Sequence, residues 1–285
     1  MQALERTLDY ATAPLFIAAS IAATRVLQVM HVEGWLWTAL VLGPLFVLAA
    51  AIERVRPERE EYLRLDQPLA TEAAHFLLNY QLGYALSLGA LALVRAWMQA
   101  HVNASMWPVA WPLAVQVVIA VGLSEGAGYW QHRLFHRIPS LWRFHELHHS
   151  GGRLNVSRSL RFHGVDIGAG TFLSVLPLVL LRAPEDIVLW VVVLSGALGI
   201  VQHANMRMRT PAWLDRFFCT PAVHRHHHSR NVSESNRNFG TTVMLFDVLF
   251  GSYEPPKAEG PAAMGIEGDT MPRGFWKQVV RPFQR

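Results

Sequence analysis

The sequence predicts an all-α fold, a multi-span integral membrane helical bundle with a histidine-rich cap on its cytoplasmic side. Three observations predict it. Hydrophobic residues make up 52% of the 285 residues and charged residues only 16%, where about a quarter is usual in soluble proteins. The apolar residues come in runs long enough to cross a bilayer. Eleven of the 14 histidines lie between residues 132 and 228, at spacings that place them on shared helix faces.

Four apolar runs precede the histidines, at residues 13–30, 35–52, 73–98 and 108–130. The first two predict a transmembrane hairpin, because only a short turn separates them. Arg54, Arg56 and Arg59 follow the hairpin, and this positive charge predicts that its end lies in the cytoplasm. Two further spans then return the chain to the cytoplasmic side at the first histidines.

A second apolar pair, residues 165–181 and 186–202, separates the two histidine groups. If both runs span the membrane, the chain leaves and returns on the same side, so both groups are expected at the cytoplasmic face. The pair could instead be a buried or re-entrant hairpin. From residue 205 onward the chain is polar and basic, which indicates a compact cap with loops. We divide the chain into residues 1–107 (hairpin plus third span), 108–254 (the histidine-bearing region) and 255–285 (an irregular C-terminal tail).

The histidine spacing follows the helical repeat, with pairs and triplets at i, i+3 and i+4. Imidazole is the commonest metal ligand in proteins, so we predict a metal-binding cap. Nine candidate ligands are too many for one ion and suit two, and ligand type alone does not name the metal. The candidates are His132, His136, His145, His148, His149, His203, His224, His227 and His228.

Four other histidines are predicted to lie outside the metal site. His226 is two residues from both His224 and His228, so it points to another helix face, and we expect its alanine substitution to cost little. His31, His75 and His101 are assigned to loops or to the membrane interface.

Residues that end or begin helices predict how the first five histidines converge. Pro139 should end the helix that carries His132, because the residue before a proline avoids the helical region. Ser140 is predicted to cap the next helix, and Gly151 and Gly152 to stop it. A tight turn would then direct both helices to one point.

A ligating histidine needs its second ring nitrogen held by a neighbour. The acidic residues near the groups are Glu125, Glu146, Asp166 and Asp247, and the candidate amides are Asn205 and Asn238. Of these, we predict that Glu125, Asn205, Asn238 and Asp247 support the ligands.

These motifs resemble the fatty acid hydroxylase/sterol desaturase superfamily of membrane di-iron oxygenases over roughly residues 120–254. The resemblance rests on ordered segments: Glu125 to His136, His145 to His149, Gln202 to Asn205, Pro221 to His228, Asn238 to Gly240 and Phe246 to Gly251. It implies that these histidines bind two iron ions, with zinc as a possible substitute, at the cytoplasmic face of a four-span scaffold. It also implies O2 and external electrons as reactants, and hydroxylation or desaturation of a C–H bond in a lipid such as a fatty acyl chain or a sterol. His163 is a further possible ligand by resemblance.

The expected partners are a lipid substrate in the bilayer and a separate redox protein that donates electrons. Arg133, Arg137 and Arg143 are candidates for docking a lipid headgroup or the donor, and equally for anchoring the chain at the membrane surface. No nucleic acid is expected, since the basic residues form no continuous face. The oligomeric state is open.

Three other functions compete with this hypothesis. A zinc-dependent membrane hydrolase could use Glu146 as its general base, but six histidines would then have no task. A metal transporter would place its ligands within the spans, near the midplane, whereas these lie at span ends. A purely structural membrane protein would not explain three histidine groups with helical spacing.

Overall fold

The structure is a computed structural model that describes residues 2–102 and 104–284. Within those ranges the chain is helical, with isolated bridges but no extended strand, which confirms the all-α class. The α-helices are α1 (Gln2–Val29), α2 (Gly34–Val55), α3 (Leu69–Ala74), α4 (Gln81–His101), α5 (Leu113–Arg137), α6 (Pro139–His149), α7 (Gly164–Leu180), α8 (Glu185–His203), α9 (Pro221–His227), α10 (Val232–Ser235), α11 (Leu245–Leu249) and α12 (Phe275–Val280). A π-helical segment, His75–Tyr80, joins α3 to α4, and 3-10 helices cover Glu60–Leu63, Val156–Leu160, Leu214–Arg216 and Arg281–Phe283.

Five helices in the described part of the chain are long and apolar enough to cross a membrane: Ala3–Val29, Gly34–Val55, Leu69–His101, Leu113–Arg137 and Glu185–His203. They confirm the predicted multi-span architecture. Helix α7 has 17 residues; at about 1.5 Å per residue it is shorter than the ~30 Å hydrocarbon core. The apolar pair 165–202 therefore combines one helix of spanning length with one shorter helix.

The chain forms two compact units that interleave along the sequence. Unit 1 comprises residues 2–66, 152–159 and 192–267, and unit 2 comprises residues 67–102, 104–151, 160–191 and 268–284. Each unit holds one set of the histidines singled out above. The functional division of the chain at residues 107 and 254 stays a prediction.

In unit 1 the chain after α8 is tied to one end of the α1–α2 hairpin. Arg56, just after α2, forms an ion pair of 2.9 Å with Asp9 near the start of α1. The buried carboxylate of Glu53 accepts the backbone N–H of Asn205 over 3.1 Å. The Asn205 side chain in turn bonds the backbone of Arg59, through Oδ1 at 3.0 Å and Nδ2 at 2.8 Å. The first residues after α8 are therefore fixed at the arginine-rich end of the hairpin.

In unit 2 helix α7 contacts both α4 and α5. A side chain at Gly83 of α4 would collide with the backbone of Gly164 and the side chain of Ile167, so glycine is needed for this close approach. Ser87 adds a hydrogen bond of 2.5 Å to the carbonyl of Gly168. This packing fixes the first turn of α7 within the unit, and that turn contributes to the site described below.

The helix ends around the turn between α5 and α6 agree with the prediction, with one difference. Ile138 is extended, and α6 begins at Pro139, which confirms the break. The prediction of Ser140 as the N-cap is wrong, because Pro139 takes the first helical position, where no N–H is needed, and Ile138 becomes the cap. Helix α6 ends at His149, and Gly151 has a φ of 90°, as its predicted stop role requires.

The C-terminal residues 255–285, expected to be irregular throughout, contain the helix α12. Gln278 of α12 bonds His75 through Oε1 and Nε2, 2.7 Å apart. Arg281 bonds Glu146 of α6 through Nε and Oε1, also 2.7 Å apart. These partners lie far apart in sequence, so the pattern of residues 255–285 alone gave no signal for the helix. The end of the chain is thus packed into unit 2.

Candidate metal centre

Unit 2 brings four histidines together. Each of His132, His136, His145 and His149 offers a ring nitrogen within 4.8 Å of the others. The first two lie in the last turns of α5 and the other two on α6. Spacing by four residues places each pair on one helix face, and the break at Pro139 lets the two faces converge. The four predicted ligands therefore lie together, and metal binding by them stays a prediction.

The hydrogen bonds of His145 show why this group suits a cation. Its Nδ1 lies 2.8 Å from Oδ2 of Asp166. An ionised carboxylate only accepts hydrogen bonds, so Nδ1 carries the proton and Nε2 presents its lone pair. That Nε2 lies 3.1 Å from Nε2 of His132 and 3.1 Å from Nε2 of His149. One lone pair can accept one N–H, whereas a metal ion accepts several imidazole nitrogens at once.

Asp166 holds a candidate ligand, and it was not among the four supporting residues predicted. Its Oδ2 accepts from His145, and its Oδ1 accepts from Gln131 of α5 over 3.2 Å. Asp166 lies in the first turn of α7, where the helix dipole favours negative charge. The sequence offered it only as one of four nearby acids, because its pairing depends on the packing of α7.

Unit 1 brings a second group together, formed by His203, His224 and His228, whose ring nitrogens lie within 4.8 Å of one another. His203 donates from Nδ1 to the carbonyl of Gly199 over 2.6 Å, so its Nε2 presents a lone pair. The Nε2 atom of His224 lies 2.9 Å from that Nε2 and 3.1 Å from Nε2 of His228. This convergence has the same character as that in unit 2 and suits a second cation.

The two remaining candidate ligands have one nitrogen directed at a backbone carbonyl. His227 donates from Nδ1 to the carbonyl of Arg237 over 2.8 Å. Nδ1 of His148 lies 3.4 Å from the carbonyl of Arg161, and its ring stacks on Phe162 with centroids 4.0 Å apart. Both arrangements favour the tautomer in which Nε2 can bind a metal. Their ligation stays a prediction.

His163 has a different role from the ligand role that the resemblance implied. It is the N-cap of α7, where Nδ1 accepts the backbone N–H of Val165 over 3.1 Å. Its Nε2 donates to the carbonyl of Val279 over 3.1 Å. Burial lowers the pKa of His163, which keeps the ring neutral, as an accepting Nδ1 requires. With both nitrogens engaged, His163 caps a helix and binds the end of the chain.

The predicted supporting amides act on the backbone instead. Asn205 holds Arg59, as described above, and so does not hold a ligand ring. Asn238 has a φ of 56°, and its side chain brackets Glu254 with two bonds of 2.8 Å to the backbone N–H and carbonyl. Asn238 follows Arg237, whose carbonyl accepts from His227. Its effect on the candidate ligand is therefore indirect.

The two predicted acids are both buried. Asp247 accepts from the backbone N–H groups of Phe239 at 2.9 Å and Gly240 at 2.6 Å, and from the hydroxyl of Ser252 at 2.6 Å. It thus stabilises the loop that presents the Arg237 carbonyl. Glu125 lies buried on α5, and its role toward a ligand stays a prediction.

His226 lies outside both histidine groups, as predicted. It is 1% exposed, and its Nε2 lies 3.4 Å from Oε1 of Glu254. Substitution of so buried a ring should cost more than the small amount expected from its spacing alone. His226→Ala should lower the free energy of unfolding by about 1–3 kcal/mol through an empty space in the cap, with the metal content unchanged. Thermal denaturation together with elemental analysis checks this, and metal loss would contradict it.

The polar residues around α5 and α6 bear on the competing functions. Glu146, the base that a hydrolase would need, is buried and ion-paired with Arg281. Arg133 lies over the rings of Tyr129 and Trp130, 5.8 Å and 5.5 Å from their centroids. Arg137 is exposed and Arg143 is partly exposed, as docking residues should be. Docking of a lipid headgroup or a donor there stays a prediction.

The fatty acid hydroxylase family model matches residues 117–252. The chain is also similar to the ornithine lipid hydroxylase OlsE of Rhizobium tropici, with 34% identity over 257 residues that cover 88% of this chain and 76% of that protein. The chain belongs to the fatty acid hydroxylase family. Membership confirms the resemblance seen in the motifs and makes the protein a membrane-bound oxidoreductase, which removes the hydrolase, transporter and structural alternatives.

More distant relatives match a smaller part of the chain. The alkylglycerol monooxygenase of Caenorhabditis elegans is 27% identical over 139 residues, 48% of this chain and 27% of that protein. The fatty acid hydroxylase vlmA of Lecanicillium sp is 28% identical over 175 residues, 57% of this chain and 44% of that protein. The chain thus spans less than half the length of these two relatives. No solved structure matches the chain.

Proposed function

We propose that this member of the fatty acid hydroxylase family is a di-iron enzyme that uses O2 to hydroxylate a C–H bond of a membrane lipid with an ornithine headgroup. The observation that carries the proposal is the convergence of imidazole nitrogens at one point in each unit. The lipid class rests on the similarity to OlsE, which extends over 88% of the chain and so includes helices outside the histidine groups. Fatty acyl chains, sterols and alkylglycerols are the competing substrates.

In this proposal one iron is held by His132, His136, His145 and His149, and the other by His203, His224 and His228. His148 and His227 complete the set. When bound, the iron ions supply the activation of O2, in which one oxygen atom enters the C–H bond and the other leaves as water after two electrons and two protons are added.

The protein's own residues prepare this chemistry in two ways. Asp166 and the Gly199 carbonyl hold protons on Nδ1 of His145 and His203, so that each Nε2 is ready to bind before any ion arrives. The histidines of both groups are buried except for His136, which is partly exposed. A buried site excludes water and so protects reactive species from side reactions.

We further propose that the histidines face the cytoplasm and receive electrons from a separate redox protein. In unit 1 the chain between His203 and Arg209 is tied to the hairpin end that carries Arg54, Arg56 and Arg59. Arginine-rich ends of membrane helices face the cytoplasm. The exposed Arg137 offers a positively charged point at which an acidic donor could dock.

A lipid analysis tests the proposal. The chain is expressed in bacterial cells that make ornithine lipid, with iron supplied, and the extract is analysed by mass spectrometry. We expect ornithine lipid that has gained one oxygen atom, and none in cells that make the His145→Ala variant. Loss of two hydrogens instead would show desaturation. Oxidation of another lipid class alone would overturn the proposed substrate while leaving the family chemistry in place.

Metal content tests the iron set separately. Gently solubilised protein should contain about two irons per chain, because nine imidazoles exceed what one ion takes. A single tightly held zinc would contradict the di-iron proposal. Two zincs would require repetition with iron-enriched growth, since zinc replaces iron at such ligands.

A further inference from the structure

Unit 1 carries an apolar surface outside its membrane-spanning helices. It consists of residues from the segment around the 3-10 helix Leu214–Arg216 and from α11. Between 45% and 65% of each of these residues is exposed. We call it the aromatic patch, and its members are Trp213, Phe217, Phe218, Leu245, Leu249 and Phe250. The sequence suggested only a polar and basic cap in this region.

Backbone hydrogen bonds join the two segments of the patch, so the segments lie side by side. Phe218 forms an isolated antiparallel bridge with Val243. The N–H of Met244 donates to the carbonyl of Phe217 over 2.9 Å, which places Leu245 directly beside the aromatic segment. Leu249 lies one helical turn further along α11. Six large apolar side chains in one exposed area exceed the scattered apolar residues that ordinary surfaces carry.

The patch begins close to one end of the α1–α2 hairpin. The N–H of Arg207 donates to the carbonyl of Arg56 over 3.0 Å, and the N–H of Arg209 donates to the carbonyl of Asp9 over 2.9 Å. Trp213 follows Arg209 by four residues, and four extended residues reach at most about 14 Å. The patch therefore begins within about 14 Å of the arginine-rich end of the hairpin.

The charged residues beside the aromatic patch indicate what kind of surface it binds. Arg207, Arg209 and Arg216 are exposed, and Arg209 forms an ion pair of 3.5 Å with Glu58. The neighbouring carboxylate of Asp215 is buried, and it accepts from the hydroxyl of Thr220 over 2.6 Å. Three exposed arginines beside one partly exposed carboxylate leave the outward charge positive. Aromatic residues beside arginine mark segments that lie in the headgroup region of a bilayer with anionic lipids.

We propose that the aromatic patch sits in the boundary between headgroups and acyl chains, as a second membrane contact of unit 1 besides its spanning helices. The occupant of the patch is the anionic bilayer surface. The cap, from residue 205 onward, would then be held against the adjacent bilayer leaflet. The positive charge beside the patch and the closeness of the patch to the hairpin end favour this occupant over a protein partner.

Site-directed labelling tests the proposal without any catalytic readout, so its failure is distinguishable from failure of the proposed function. Phe217→Cys and Leu249→Cys carry an environment-sensitive fluorophore, and Ala258→Cys, exposed between Lys257 and Glu259, is the matched control. Cys219 is buried, so labelling of the unmodified protein measures the background. The proteins are placed in lipid nanodiscs that contain anionic phosphatidylglycerol.

We expect blue-shifted emission at positions 217 and 249, strong quenching by lipids with a nitroxide near the headgroup, and weak quenching by aqueous iodide. Position 258 should show the reverse. Iodide quenching at 217 and 249 equal to that at 258 would overturn the proposal. Protection from iodide without quenching by nitroxide lipid would also overturn it, because protein rather than lipid would then cover the patch. Trp213→Cys provides a third position if either variant fails to fold.

Discussion

Replacing His145 with alanine should abolish lipid hydroxylation and lower the iron content from about two ions to about one per chain. The Nε2 of His145 faces both His132 and His149 at 3.1 Å, so its loss removes the central nitrogen of the group in unit 2. Loss of a residue that only supports a ligand costs about 10–100-fold, so loss of a ligand should cost more than ~100-fold in activity. Elemental analysis and product formation measure the two effects.

The corresponding variant in unit 1 is His224→Ala, because Nε2 of His224 lies 2.9 Å from Nε2 of His203 and 3.1 Å from Nε2 of His228. We expect a similar loss of one iron and of product. His226→Ala is the matched control, since it removes an equally buried imidazole from the same helix, and it should keep its iron. If His145→Ala or His224→Ala retained the full iron content while remaining folded, the ligand assignment in that unit would be wrong.

The helical spacing of the histidines carried enough information to predict much of the site. Residues four apart on a helix share a face whatever the helix packs against, which explains why His132 and His136 converge with His145 and His149. The break at Pro139 was also predictable, because a proline restricts its own backbone and that of its neighbour. The long apolar runs predicted the spanning helices, because burial in lipid requires apolar residues over a fixed length.

The partners of the ligands could not be predicted in the same way. Asp166 is 21 residues from His145, and their contact depends on how α7 packs against α5. His163 looked like a ligand by resemblance, yet the start of α7 needs an acceptor for the N–H of Val165, and the ring provides it. Local pattern fixes which face a side chain occupies, whereas tertiary packing decides what it meets.

The aromatic patch shows a second limit of the sequence. Trp213, Phe217 and Phe218 lie among polar and charged residues, and α11 has only five residues. Neither segment is long enough to show a clear helical or alternating period. The apolar character became visible only when the bridge between Phe218 and Val243 brought the two segments together.

Asp166→Asn should weaken iron binding in unit 2 and reduce hydroxylation by about 10–100-fold, the usual effect of removing a group that holds a ligating histidine. Asparagine has nearly the same shape, so the packing of α7 should survive. The carboxylate charge, which keeps the proton on Nδ1 of His145 and raises the basicity of its Nε2, would be lost. The rate at which a chelator removes iron from the purified protein measures this directly.

Two further variants distinguish whether Asp166 positions the His145 ring or only supports the local packing. Gln131→Ala removes only the 3.2 Å bond to Oδ1 of Asp166 and leaves the bond to His145, so iron release should change far less than in Asp166→Asn. Asp166→Glu restores the negative charge, so it should release iron more slowly than Asp166→Asn, though faster than the unmodified protein. A structural role would produce the opposite order, because the larger glutamate would disturb a buried site more than asparagine does. Equal release rates in Asp166→Asn and the unmodified protein would show that the carboxylate does not control the iron ligand.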